Sequence, residues 1–250
     1  VIGDGSVRCW GSNSRGQLGD GTTNLRLVPV SVSGISDALE ISAGLEFNCV
    51  LRAAGSVLCW GANSLRQLGD GSTTDRRSPV TVPNLTGVIG VATGQSHACA
   101  VLAGGTMRCW GDNSFFQLGD GTRTSPTSPV AVSGLTGVVM TSAGDLHTCA
   151  LRAAGSVRCW GRNSRGQLGD GTTTDRAVPV TVSGLSAAVA IAAGSAHTCA
   201  LLANGGVRCW GHNDFGQLGT PTSSSATPVA PAIRDAAAIV AGSSHTCALL

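Results

Sequence analysis

The chain has 250 residues, ten cysteines and a formal net charge of +2, and only 12 % of its residues are charged, about half the usual share. All sixteen basic residues are arginine, and so small a net charge leaves no electrostatic footprint for nucleic acid. The longest apolar stretches, such as Ala187 to Ala193, fall far short of the roughly 18 residues a membrane span needs.

Repetition organises the rest. Trp10, Trp60, Trp110, Trp160 and Trp210 stand 50 residues apart, each within Cys-Trp-Gly and each followed by a near copy of Asn-Ser-x-Gly-Gln-Leu-Gly-Asp-Gly-Thr. Pro29, Pro79, Pro129, Pro179 and Pro228 open a Pro-Val pair, and a glycine corner then precedes Cys49, Cys99, Cys149, Cys199 and Cys247. The chain begins with a turn and a strand over Val7 to Gly11. In the unit 85–134 four strands are predicted in order: Gly87 to Ala92, His97 to Leu102, Met107 to Gly111 and Pro129 to Val132. A tight turn over Ala103 to Gly105 joins the second to the third, and a long Gly-rich loop joins the third to the fourth. Proline at the head of the last strand fits an edge, where a missing N–H costs little. The same set is expected over 35–84, 135–184 and 185–232, with half units over 1–34 and 233–250. Four short strands in each of five repeats of about 50 residues predict an all-β fold. That fold is a β-propeller of four-stranded antiparallel blades, four complete and two half-blades, in a single domain or fragment of one. A stacked β-solenoid competes, but has shorter coils and simpler loops.

Strand direction alternates along a blade, which sorts the loops onto two faces. The first corner (Gln95, Ser96) and the long loop (Asn113 to Ser128) share one face. The hairpin turn and the link Ser133 to Thr136 share the other. The long-loop face has the more varied connections and is the expected docking side.

Cys-Trp-Gly-x-Asn-Ser-x-Gly-Gln-Leu-Gly-Asp-Gly-Thr, with His-Thr-Cys-Ala-Leu about ten residues before it, closely resembles the regulator-of-chromosome-condensation repeat. The resemblance covers essentially the whole chain and recurs five times. It implies a propeller of seven blades, so five copies point either to an excerpt of a longer propeller or to two half-blades that zip into a smaller ring. The excerpt is favoured, because the boundaries fall inside a strand.

The cysteines fall ten apart in each hairpin: Cys49 and Cys59, Cys99 and Cys109, Cys149 and Cys159, Cys199 and Cys209. A hairpin centred on Ala54 sets Cys49 opposite Cys59, close enough for a cross-strand disulfide. Each bridge closes a short loop and is expected to contribute on the order of 2–3 kcal/mol. Cys9 and Cys247 hold equivalent positions at the two ends and would form a fifth pair on ring closure. Reduced core cysteines are the plain alternative, and a zinc site at His97, Cys99 and Cys109 lacks a recurring fourth ligand. Bridges in every hairpin point to an oxidising compartment: extracellular, cell-surface or periplasmic, with cytoplasmic as the alternative.

No catalytic constellation, phosphate loop or cofactor motif appears, so the expectation is a non-enzyme without cofactor, metal or small-molecule substrate. The Gly-Asp-Gly runs at Gly19, Gly69, Gly119 and Gly169 supply one carboxylate each and read as turns. His97, His147, His197 and His245 recur at one strand position and read as hydrogen-bonded structural residues. Variation concentrates in the dipeptide before Gln-Leu-Gly. There Arg15, Leu65, Arg66, Phe115, Phe116, Arg165 and Phe215 have the composition of a protein-binding hot spot, while cover for neighbouring loops is the bland alternative.

The expected function is a non-catalytic interaction or scaffold propeller, secreted or cell-surface and bacterial in composition, that binds a protein through the long-loop face. The alternative that the resemblance implies is guanine-nucleotide exchange on a small GTPase with chromatin association. The even spacing leaves no room for an inserted wedge, and paired cysteines do not suit a reducing nucleus.

Overall fold

The computed structural model describes residues 3–250, and all of its regular structure is β. β1 (Arg8–Gly11) pairs with β2 (Arg26–Ser31) in a two-stranded sheet. A four-stranded meander follows: β3 (Ala38–Ala43), β4 (Phe47–Arg52), β5 (Val57–Gly61) and β6 (Arg76–Thr81). The next comprises β7 (Val88–Thr93), β8 (His97–Leu102), β9 (Met107–Gly111) and β10 (Val130–Ala131). β11 (Val138–Ala143), β12 (His147–Arg152), β13 (Val157–Gly161) and β14 (Arg176–Thr181) make the third. β15 (Ala188–Ala193), β16 (His197–Leu202), β17 (Val207–Gly211) and β18 (Ser225–Val229) make the fourth. β19 (Ala238–Ala241) and β20 (Thr246–Leu249) form the last two-stranded sheet.

The chain divides into two compact units. The first runs to Ala103 and includes Arg108–Asn113 and Thr124–Ala131; the second comprises Gly104–Met107, Ser114–Arg123 and Val132–Leu250. In each, the core lies between consecutive sheets. In the first unit, Phe47, Leu51 and Val57 of one sheet meet Val88, Val91, Ala98 and Trp110 of the next. In the second, Leu151 and Val157 meet Ile191, Ala200 and Trp210 in the same way. Small residues at Ala98 and Ala200 let sheets approach closely around the tryptophans, which are fully buried at Trp60, Trp110, Trp160 and Trp210.

Two local features set the loop geometry. The glycine after each tryptophan adopts a left-handed φ between 100° and 110°, and a Cβ at Gly61 would strike the Glu46 carbonyl of the corner. That glycine bends the third strand away from the sheet and launches the long loop. The fourth strand of the second sheet is shorter than the predicted Pro129 to Val132. Arg76 and Arg176 open their strands by pairing with Gly61 and Gly161, but Pro126 stands at the equivalent place and has no N–H to give.

Candidate functional site

The long loop is built from inside outward. Asn63, fully buried, donates Nδ2 to Asp70 Oδ1 (3.1 Å) and to the Ser72 and Thr74 carbonyls (3.2 and 3.1 Å), while its Oδ1 accepts from the Leu68 N–H (3.0 Å). Asn163 repeats the pattern with Asp170, Thr172, Thr174 and Leu168. Asp70 is in turn paired with Arg76 at 2.8 Å, and Asp170 with Arg176 at 2.7 Å. At Asp20 burial opposes ionisation, but hydrogen bonds from Thr22, Arg26 and Asn13 outweigh it and hold the carboxyl at about 2.

The Gln-Leu-Gly segment then stitches one repeat to the next. The Gln17 carbonyl accepts from Trp60 Nε1 (2.9 Å) and Asn48 Nδ2 (2.7 Å). The Gln167 carbonyl accepts from Trp210 Nε1 (2.9 Å) and Thr198 Oγ1 (3.2 Å), so both its lone pairs are used. The recurring histidines join the same seam. His147 Nε2 lies 2.9 Å from Thr198 Oγ1; because that hydroxyl gives its proton to Gln167, the imidazole is the donor. His197 and Thr246 repeat the arrangement at 2.9 Å. Burial depresses His97 and His197 to about 4, with His212 and His245 adding to the effect at His197. The fixed residues of the motif are thus spent on bracing the loop, in the case of Asn and Asp, and on joining the repeats, in the case of Gln and Trp.

The variable dipeptide is left over, and its two positions differ. The second takes a left-handed φ throughout: 79° at Gly16, 64° at Arg66, 66° at Phe116, 79° at Gly166 and 76° at Gly216. A side chain at Gly16 or Gly166 would collide with the backbone of the following outer strand, 2.6 Å from Arg77 Cα and 2.5 Å from Ala226 Cα. Arg66 and Phe116 hold this conformation at a cost of about 1 kcal/mol each. Both are half-buried against their surroundings: Arg66 donates Nη1 to the Ser125 carbonyl (3.0 Å), and the Arg123 guanidinium covers the Phe116 ring at 4.3 Å. The first position faces solvent more freely. Leu65 is 46 % and Phe215 74 % exposed. Arg15 reaches Asp75 (3.4 Å) and the corner residue Glu46 (3.9 Å), and Arg165 reaches Asp214 (3.7 Å). Phe115 lies under the Arg162 guanidinium at 5.0 Å.

In the second unit, corner and long-loop residues share a concavity of about 270 Å³ bordered by Asp145, Arg162, Arg165, Ser195, His212 and Ser244. Ser195 Oγ donates to Asp145, which joins the corners of successive repeats. His212 Nε2 sits 2.9 Å from Asp214, and this contact lowers the Asp214 pKa. Sequence reasoning missed Arg162, His212 and Asp214. The available signal was the residue two after each tryptophan, which changes from Ser12 to Ala62, Asp112, Arg162 and His212.

The hairpin cysteines face each other in register and are bonded: Cys49–Cys59, Cys99–Cys109, Cys149–Cys159 and Cys199–Cys209, each with Cα atoms 4.1 Å apart. Cys99 and Cys109 therefore have no thiolates left for the zinc alternative. The expected Cys9–Cys247 link is not formed. Each lies in its own two-stranded sheet, Cys9 opposite Val30 on β2 and Cys247 opposite Val240 on β19.

The model of the regulator of chromosome condensation (RCC1) repeat matches residues 4–51, 54–101, 105–151, 154–201 and 204–249. A second model of that repeat matches 39–67, 88–117, 138–167 and 188–217. A search of curated protein sequences returns no match. Among solved structures, the chain is similar to human WBSCR16, with 24 % identity, a TM-score of 0.87, and coverage of 98 % of this chain and 67 % of that one. It is similar to yeast RCC1 (Prp20), solved bound to Kap60, with 22 % identity, a TM-score of 0.86, and coverage of 98 % and 62 %. It is also similar to the ectodomain of the Physcomitrella patens receptor kinase CR4, with 25 % identity, a TM-score of 0.53, and coverage of 89 % and 50 %. The chain spans about two thirds of the length of the first two. Five matched repeats, the four-stranded meanders and the shared propeller fold lead to one assignment: the chain belongs to the RCC1 repeat family.

Proposed function

We propose that this chain is a non-catalytic, extracellular or cell-surface binding module whose protein partner docks on the long-loop face. The observation that carries the reading is a division of labour within the loop. Asn and Asp are consumed within the loop and the Gln carbonyl by the seam between repeats, whereas Arg15, Leu65, Phe115, Arg165 and Phe215 vary at the position that faces solvent. Four hairpin disulfides support an oxidising compartment. Likeness to a receptor-kinase ectodomain agrees with that setting, and yeast RCC1 held by Kap60 illustrates a protein partner for this fold.

The test compares three forms of the chain as bait in the extracellular fraction of its host. Leu65→Arg with Phe215→Arg is expected to lose the proteins that the wild type retains, while Arg234→Glu, beside the hairpin-turn residues Asn204 and Gly206, keeps them. Equal retention by all three would contradict the docking face. The second reading, exchange on a small GTPase, is favoured by the likeness to yeast RCC1. Accelerated nucleotide release by the disulfide-bonded chain would put it first.

A further inference from the structure

From the concavity in the second unit we infer an anchor for a carboxylate side chain of the protein partner, with Arg162 as its cationic centre. The inference rests on the long-loop docking face proposed above and names the chemistry it recognises. Phe115, from one loop, supports the Arg162 guanidinium of the next at 5.0 Å, and Arg162 Nε donates to Ser164 Oγ at 3.1 Å. Ring and hydroxyl together fix the plane of the guanidinium. Among the described residues its two terminal nitrogens have no acceptor and Arg162 makes no ion pair. A guanidinium held in plane with both ends open matches a carboxylate bidentately.

The acidic group on the border of the concavity, Asp145, accepts from Ser195, and Asp214 beyond it is paired with the bordering His212 and Arg165. Neither carboxylate pairs with Arg162, and because both keep their charge they repel a dianion about twice as strongly as a monoanion, which favours a singly charged carboxylate over a phosphate. Beside the concavity, Phe215 meets His212 edge-on at 5.9 Å and is largely exposed, so it offers an apolar shelf next to the charge. The ligand is therefore an Asp or Glu flanked by an apolar residue. The fold does not need this arginine: Ser12, Ala62, Asp112 and His212 occupy the equivalent places.

The probe is a phage-displayed library of random dodecapeptides, selected on the intact 250-residue chain at low ionic strength. The selected sequences are expected to carry Asp or Glu at a fixed position beside an apolar residue. Replacing that acid by its amide, or Arg162→Gln in the protein, should weaken binding by roughly tenfold or more. Arg162→Lys should give a smaller loss, because an ammonium keeps the charge and loses the fork. Each variant is used only with a melting temperature matching the wild type. An acid-free consensus, undiminished binding to Arg162→Gln, or tighter binding of a phosphoserine peptide would overturn the anchor. If Leu65→Arg with Phe215→Arg still abolishes binding in those cases, the docking face survives without it. Peptides indifferent to every long-loop substitution would overturn both.

Discussion

Two seams of this molecule solve one packing problem with opposite chemistry. Between β12 and β16, His147 donates to Thr198, whose hydroxyl passes on to the Gln167 carbonyl. Between β4 and β8, the same two positions hold Phe47 and Ala98, both buried in an apolar cluster. The change is paired: an imidazole and a hydroxyl are replaced together by a ring and a methyl. Burying one polar member without the other leaves an unsatisfied group, whereas exchanging both is close to neutral. At this seam the two positions change together, whereas the exposed first position of the long-loop dipeptide changes from Arg15 to Leu65, Phe115, Arg165 and Phe215 within a fixed loop frame.

The largest perturbation should strike both seams alike. Reducing the four hairpin disulfides removes roughly 2–3 kcal/mol each, a total comparable with the whole stability of a domain. Reduced and alkylated protein is expected to be unfolded or to melt far below the oxidised form by calorimetry. A seam that kept its near-ultraviolet circular dichroism after reduction would show that packing alone suffices.

Acid should separate the seams. His97 and His197 are held at about 4 in the fold, against an ordinary value of 6.5. Between those limits the unfolded chain binds more protons, so stability is complete above about pH 6.5 and falls as pH drops towards 4. Each histidine accounts for roughly 3 kcal/mol of that loss. Asp20, held at about 2, gives up its contribution only from 3.8 downward, so the histidine limb stands apart. The double variant His197→Phe with Thr246→Ala copies the Phe47–Ala98 couple. Urea titrations across this range should show its acid limb reduced by the share of one histidine.

A smaller and more local effect follows from splitting a couple. Phe47→His sets an imidazole against Ala98, which has no hydroxyl, and should cost about 2–4 kcal/mol. Adding Ala98→Thr should recover about 1–2 kcal/mol as a coupling energy in a double-mutant cycle. Additive substitutions would show that the two positions do not communicate.

Much of this was legible in the sequence, and the parts that were not share a cause. The predicted His97 to Leu102 and Met107 to Gly111 coincide with β8 and β9, because short, largely apolar runs between glycine-marked turns leave one reading. Cys49 opposite Cys59 followed from hairpin symmetry. The fourth strand around Pro129 was overdrawn, since the pattern does not reveal that Pro126 removes the pairing that Arg76 and Arg176 make. The His147–Thr198 couple and the Phe115–Arg162 stack join residues of successive repeats, and nothing local in the chain links them. A repeat displays its strands in each copy but its seams only between copies. The candidate site, built at a seam, was visible as variable residues without their partners.

The central claim is an oxidised, partner-binding propeller, and the most direct measurement is the thiol state of the chain taken from its host. Protein alkylated on harvest, digested without reduction and analysed by mass spectrometry should yield four linked peptide pairs, Cys49–Cys59, Cys99–Cys109, Cys149–Cys159 and Cys199–Cys209, with Cys9 and Cys247 alkylated. Ten alkylated cysteines would contradict the account and return the chain to a reducing compartment.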